Sequence, residues 1–205
     1  VLLARARRSL LRRDRRLAAV IRRVGPCGIQ ARGDPYRALL RSILYQQLAG
    51  AAARAIDGRL RAAHGGRYPA PEALLGARDA ELRAVGLSRQ KIAALRAVAR
   101  AFADGHVSGR RLYRMADEDV VASLTRIHGV GTWTAHMILM FSLGRPDVLP
   151  VGDYGIRKGA RLVYGLRELP APAELTQLCA RWRPYRSVGS WYLWRAVDVA
   201  TPDGA

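Results

Sequence analysis

Asp153, Gly129, Gly131 and the aromatic residues near them have the types and spacing that suit chemistry. Between residues 124 and 158 the chain reads LTRIHGVGTWTAHMILMF and then SLGRPDVLPVGDYGIRK. The turn Gly129-Val130-Gly131 separates two segments of helical apolar periodicity, and a short apolar run beyond them delivers one carboxylate, Asp153. Glycines at a turn let the backbone come close to another group, and the start of the next helix offers N–H groups without intrahelical acceptors. Such groups suit a phosphate. One acid beyond a phosphate-binding turn points to chemistry on a nucleic acid. Spacing alone favours Asp153 as the N-cap of a helix over 154–164, and the two roles are compatible.

Charge points the same way. Thirty-five Lys and Arg against sixteen Asp and Glu leave a formal +19 on 205 residues. A field of that size draws polyanions, of which the phosphate backbone is the commonest. Lys91 and Lys158 are the only lysines, so an arginine-rich composition accounts for part of the excess. On charge alone, membranes and acidic partners stay open. Charge names a partner class and no reaction.

Other classes are excluded. Two cysteines, Cys27 and Cys179, cannot build a four-thiolate metal or iron–sulfur site and imply no disulfide framework. His64, His106, His128 and His136 show no metal-ligand spacing, and the last two read as residues at the surface or just behind the site. No apolar run is long enough to span a bilayer, and arginines interrupt every would-be signal core in VLLARARRSLLRRDRRLAAVIRRV. The expectation is a soluble intracellular monomer, with no membrane partner.

The elements that must position these residues read as helices joined by short turns. The N-terminal segment is expected to form one amphipathic helix. Asp34-Pro35 opens a second, Gly50 precedes a third, and short helices end near Gly76 and Gly86. Ser88 caps RQKIAALRAVARAFAD, which Gly105 terminates, and Asp117 is expected to cap EDVVASLTRI. Helices over 132–141 and 154–164 follow, then one introduced by Pro170 and Pro172, and a last one from Tyr185 onward. Alternating patterns are scarce, and 148–151 is too short to found a sheet. The fold class is all-α, with about ten helices in a single unit over 1–205. Gly86-Leu87 looks like a second, weaker helix–turn–helix junction.

IHGVGTWTA resembles the helix–hairpin–helix of the DNA glycosylase superfamily that includes endonuclease III. DVLPVGDYGIRKG resembles that superfamily's loop carrying its aspartate. SILYQQLAGAAARAI is similar to the QQ-containing helix junction of the alkylpurine branch, and GLSRQKIAALRAVA to another of its helices. The similarity runs from about residue 34 to 194. It implies two helical lobes with a DNA-binding cleft between them, in the compact form without an extra N-terminal α+β domain. Where bifunctional members carry a Schiff-base lysine, two residues after the second hairpin glycine, this chain has Trp133. The four-cysteine cluster of endonuclease III is missing too. Trp133 at the lysine position, with the QQ pair, resembles the monofunctional 3-methyladenine glycosylases typified by bacterial alkyladenine glycosylase II.

That resemblance implies a role for each residue. Asp153 would stabilise the cationic sugar or position water. Trp133, Tyr154 and Trp194 match base-pocket positions, with Met137 where some relatives have an aromatic. Trp182 and Trp191 read as core instead. Gln47, with Leu48, matches the wedge that fills the vacated base stack. A buried glutamine bonding backbone at a helix end is the alternative for Gln47. Gly129, Gly131 and Thr132 would meet DNA phosphate. The carbonyls of Thr125, Ile127 and Val130 would hold a structural Na or K ion, and no other cofactor is implied. Arg157 and Lys158 are either phosphate contacts or part of a solvated helix face. The implied partner is double-stranded DNA with alkylated bases, in the cytoplasm of a bacterium, associated with the nucleoid, or otherwise in a nucleus. Alternatives are a glycosylase for oxidised or deaminated bases, and a non-catalytic hairpin protein that only holds DNA.

Overall fold

A computed structural model describes residues 2–31, 33–48 and 50–200. These form thirteen α-helices and one 3₁₀ turn, with no strand among the described residues. In chain order they begin with α1 (Leu2–Arg13), α2 (Arg15–Val24), α3 (Pro35–Tyr45) and α4 (Gly50–Ala62). Next come α5 (Pro71–Gly76), α6 (Asp79–Ala84), α7 (Arg89–Ala103), α8 (Gly109–Arg114) and α9 (Asp117–Thr125). The chain closes with α10 (Thr132–Phe141), α11 (Tyr154–Tyr164), α12 (Pro172–Cys179), the 3₁₀ turn Ala180–Trp182 and α13 (Arg186–Ala200).

Local chemistry sets the boundaries. Asp34 accepts the Tyr36 N–H at 2.9 Å, with Pro35 in the first helical position, so α3 starts where expected. Ser88 Oγ accepts the Lys91 N–H and opens α7. Two expectations need correction, and one helix was not foreseen. The N-terminal segment is two helices rather than one, because Asp14 breaks it and caps α2 through the Leu17 N–H. Asp117 is the first residue of α9 and not its cap, which is Ala116. The short helix α8, capped by Ser108, has too few residues to show a period in the sequence.

The chain divides into two compact units, 1–31 with 144–205 and 32–143. In the first, α13 packs against α11, α2 and α1. Gly159 allows the closest of these approaches, since a Cβ there would fall 2.2 Å from the Leu193 carbonyl oxygen. At the centre lies Asp14, only 1% exposed, which accepts hydrogen bonds from the Tyr164 hydroxyl and from Trp182 Nε1 at 2.8 Å. Burial, and then the Asp14 carboxylate, push the Tyr164 phenol far above its ordinary pKa, so it remains a donor. Trp182 is core, as expected; Trp191 is half-buried, with Gly28 against its ring.

In the second unit α7 is the central strut. It packs against α3, α5 and α6, while α10 packs on α9 and α3. Leu39, Leu40, Ile43, Leu44, Leu95, Val98 and Leu124 are all fully buried, which fixes the helices that carry the hairpin. No helix among the described residues is long and apolar enough to cross a membrane.

Candidate active site

Asp153 sits at the mouth of α11 in the first unit. Its Oδ1 accepts the Ile156 N–H at 2.7 Å, the geometry of an N-cap, and Trp194 Nε1 at 2.9 Å. The cap expected from spacing is therefore real. Trp194 reaches it because Gly155, in the first turn of α11, leaves room for the indole: a Cβ there would fall 2.9 Å from Trp194 Cδ1 and 3.1 Å from its Nε1. Asp153 is 9% exposed, and the next residue, Tyr154, is 65% exposed. A fixed carboxylate thus lies beside an outward-facing aromatic ring, with an indole holding the carboxylate in place. Of the predicted residues, Asp153, Tyr154 and Trp194 are brought together here. Arg157 is turned to another task, because its Nε donates to the Pro170 carbonyl at 2.9 Å.

The hairpin belongs to the second unit. Gly129 has φ 83°, and a Cβ there would lie 2.4 Å from the Ala94 Cβ, so this glycine is required by α7 at its back. Gly131 differs. It caps α10 with φ −94°, and nothing lies within 4 Å of an added Cβ. Its open surface adjoins the first N–H groups of α10, including that of Thr132, which helix geometry leaves without intrahelical acceptors. On α10 itself, Thr134, Ala135, Ile138 and Leu139 are buried, while Trp133 is 45% exposed and Met137 half-buried. Four residues apart, Trp133 and Met137 share one helix face.

Thr125 lies in the last turn of α9, where carbonyls lack an intrahelical donor, and the Ile127 carbonyl accepts the Val130 N–H at 3.0 Å. With Val130 they form a set of neutral, hard oxygens. That donor chemistry fits an alkali cation and not a transition metal. Among the described residues no three His, Cys, Asp or Glu side chains gather as a metal site.

The turn after α3 separates the two glutamines. Gln46 Nε2 donates to the Gly129 carbonyl at 3.2 Å and to Thr134 Oγ1 at 3.3 Å. Gln47 is exposed, with φ 54°, and Leu48 is 37% exposed. A glutamine bonding backbone is present, but it is Gln46; the buried alternative for Gln47 is excluded. Beside this turn opens a groove of about 490 Å³ lined by Gln47, Leu48, Ser88, Lys91, His128 and Gly129. A larger groove in the same unit, about 960 Å³, touches only Ile127 among the predicted residues. In the sequence Gln46 reads only as half of the QQ pair at this junction, and Lys91 is given no part in it. Being one of only two lysines was the sole signal that Lys91 offered.

The helical architecture, the glycine hairpin and the capped aspartate beyond it define a helix–hairpin–helix protein. The model of the HhH-GPD superfamily of base excision DNA repair proteins matches residues 40–184. The chain belongs to this family. It is 33% identical over 191 residues to DNA-3-methyladenine glycosylase 1 of Schizosaccharomyces pombe, across 91% of this chain and 82% of that protein. A solved 3-methyladenine DNA glycosylase from Schizosaccharomyces pombe, in complex with abasic DNA, superimposes with a TM-score of 0.85 at 31% identity, covering 93% of this chain and 95% of the other. A DNA-3-methyladenine glycosidase from Bacillus halodurans superimposes with a TM-score of 0.84 at 36% identity, covering 95% and 90%.

Proposed function

We propose that this chain is a monofunctional DNA glycosylase that hydrolyses the N-glycosidic bond of alkylated purines in base excision repair. The observation that carries this reading is Asp153, pinned through Oδ1 by a backbone N–H and an indole N–H at the start of α11. A purine methylated at N3 or N7 is cationic, so it leaves with little need of a general acid. What the reaction needs is negative charge near C1′, where an oxocarbenium ion develops, or a carboxylate to place water. Asp153 supplies that charge without having to reorganise. Trp133, Met137 and Tyr154 offer partly or largely exposed surfaces on which an electron-poor base stacks. Trp194 acts both as a wall and as the group that orients the carboxylate.

The N–H groups of Gly129, Gly131 and Thr132 take DNA phosphate in this reading, with Na or K held by the carbonyls of Thr125, Ile127 and Val130. Gln47, with Leu48, enters the stack as the damaged base leaves it. Flipping costs about a few kcal/mol, and a side chain already extended toward solvent offsets part of it. Gln47→Ala is therefore expected to slow excision from a paired duplex about tenfold, a change of ~1.4 kcal/mol. Excision from an unpaired bulge should stay near wild type. Because Gln47 is exposed, its melting temperature should not move.

Methylated DNA incubated with the protein, followed by chromatography of released bases, tests the central reading. Free 3-methyladenine or 7-methylguanine is expected. Release of oxidised or deaminated bases alone would redirect the assignment, and release of nothing would leave a binding protein. Trp133 stands where bifunctional relatives have lysine, so an imine has no amine to form on. Borohydride added during turnover is expected to trap no covalent protein–DNA complex. A trapped complex would overturn the monofunctional reading and direct attention to Lys91 or Lys158.

A further inference from the structure

Gln47 has a conformation that its own chemistry disfavours. A left-handed φ of 54° is sparsely populated for a residue with a Cβ, and it persists only where the surroundings dictate it. Those surroundings can be named. The Lys91 ammonium donates to three carbonyls at the end of α3: Ile43 at 2.6 Å, Leu44 at 3.0 Å and Gln46 at 3.0 Å. All three of its protons are thereby used. A cation at a helix C-terminus is electrostatically favoured, and here it also closes the chain into the turn. Partial burial lowers the Lys91 pKa, consistent with an ammonium that has exchanged water for carbonyls.

The second fastening is Gln46. Its carbonyl is held by Lys91, while its side chain reaches the Gly129 carbonyl in the hairpin and Thr134 on α10. One turn beyond Lys91 on the same face of α7, Ala94 meets Gly129. The first turns of α7 thus touch both the turn that presents Gln47 and the hairpin. Neither Lys91 nor Gln46 has to contact a base for this to matter.

We infer that Lys91 and Gln46 are positioning residues that lock Gln47 in its outward, base-displacing conformation and fasten it to the hairpin. The wedge and the strand grip then meet DNA as one preset unit, and the cost of ordering the wedge is met in folding, before DNA arrives. This rests on the proposed role of Gln47 as the wedge.

The test compares single-turnover excision of 7-methylguanine when it is paired in a duplex and when it sits in an unpaired bulge. Lys91→Met keeps the stem and removes the three donors. It is expected to lower the duplex-to-bulge rate ratio about tenfold, with bulge excision within about threefold of wild type. Gln47→Ala should lower the ratio similarly, and the double variant should fall no further, since both changes remove one function. If Gln47→Ala lowers the ratio and folded Lys91→Met does not, or if the two effects simply add, the positioning role is overturned and the wedge survives. If Gln47→Ala leaves the ratio unchanged, the wedge reading fails, and this inference with it. Melting curves accompany every variant. Should Lys91→Met not fold, Gln46→Leu decides by the same ratio: a fall of similar size supports the inference, and an unchanged ratio overturns it.

Discussion

Asp153→Asn is expected to lower single-turnover excision of 3-methyladenine by about 10²-fold or more, with fold and DNA affinity kept. The amide is nearly isosteric with the carboxylate. Its oxygen can accept the same Ile156 and Trp194 N–H groups that reach Oδ1 now, and Asn caps a helix about as well as Asp. What the variant lacks is the negative charge. If Asp153 serves only as the cap of α11, excision and melting temperature should both stay near wild type. If it faces a developing cation, excision collapses while the melting temperature holds. Near-normal excision by the folded variant would remove Asp153 from the chemistry.

Local rules made Asp153 legible as a cap, and its candidate catalytic role came from the resemblance of the loop DVLPVGDYGIRKG. A helix start demands a short acceptor, so the residue before Tyr154-Gly155-Ile156 announced itself by local rules. The hairpin was legible for a similar reason. At Gly129 a positive φ and the Ala94 methyl group both forbid a side chain, and that requirement is written in the chain as glycine. The two glutamines show where such legibility stops. Gln46 and Gln47 are the same residue type side by side, and only the backbone conformation decides that one bonds inward and the other projects. Lys91 was hidden by distance, since its acceptors lie 45 to 48 positions earlier in the chain.

The break between α1 and α2 was hidden by pattern. Leu10, Leu17 and Ile21 are all buried and fall at spacings of seven and four, and Asp14, four residues after Leu10 and three before Leu17, lies on the same stripe, so one helical period spans the break. Only the folded unit shows Tyr164 and Trp182 arriving from 150 and 168 positions away to bond it. The largest stability effect expected in this protein follows from that contact.

Asp14→Ala is expected to destabilise the protein by about 3–5 kcal/mol, which lowers the melting temperature by roughly 10 °C. Three losses combine. The Leu17 N–H loses its cap, worth about 1 kcal/mol. The Tyr164 hydroxyl and Trp182 Nε1 lose a shared acceptor in a region closed to water, at about 1–3 kcal/mol for each buried donor left unsatisfied. Asp14→Asn separates the contributions. Its oxygen, in the place of Oδ1, keeps the cap, but its NH₂ then faces the Trp182 N–H, donor against donor, while the Tyr164 hydroxyl can turn to accept. About half of the alanine loss is expected for this variant. If the alanine variant instead lost only about 1 kcal/mol, and the asparagine variant nothing, the cap would account for all that Asp14 contributes. Thermal melts of the two variants beside wild type decide between these outcomes, and a loss in Asn as large as in Ala would show that the carboxylate's charge matters more than its geometry.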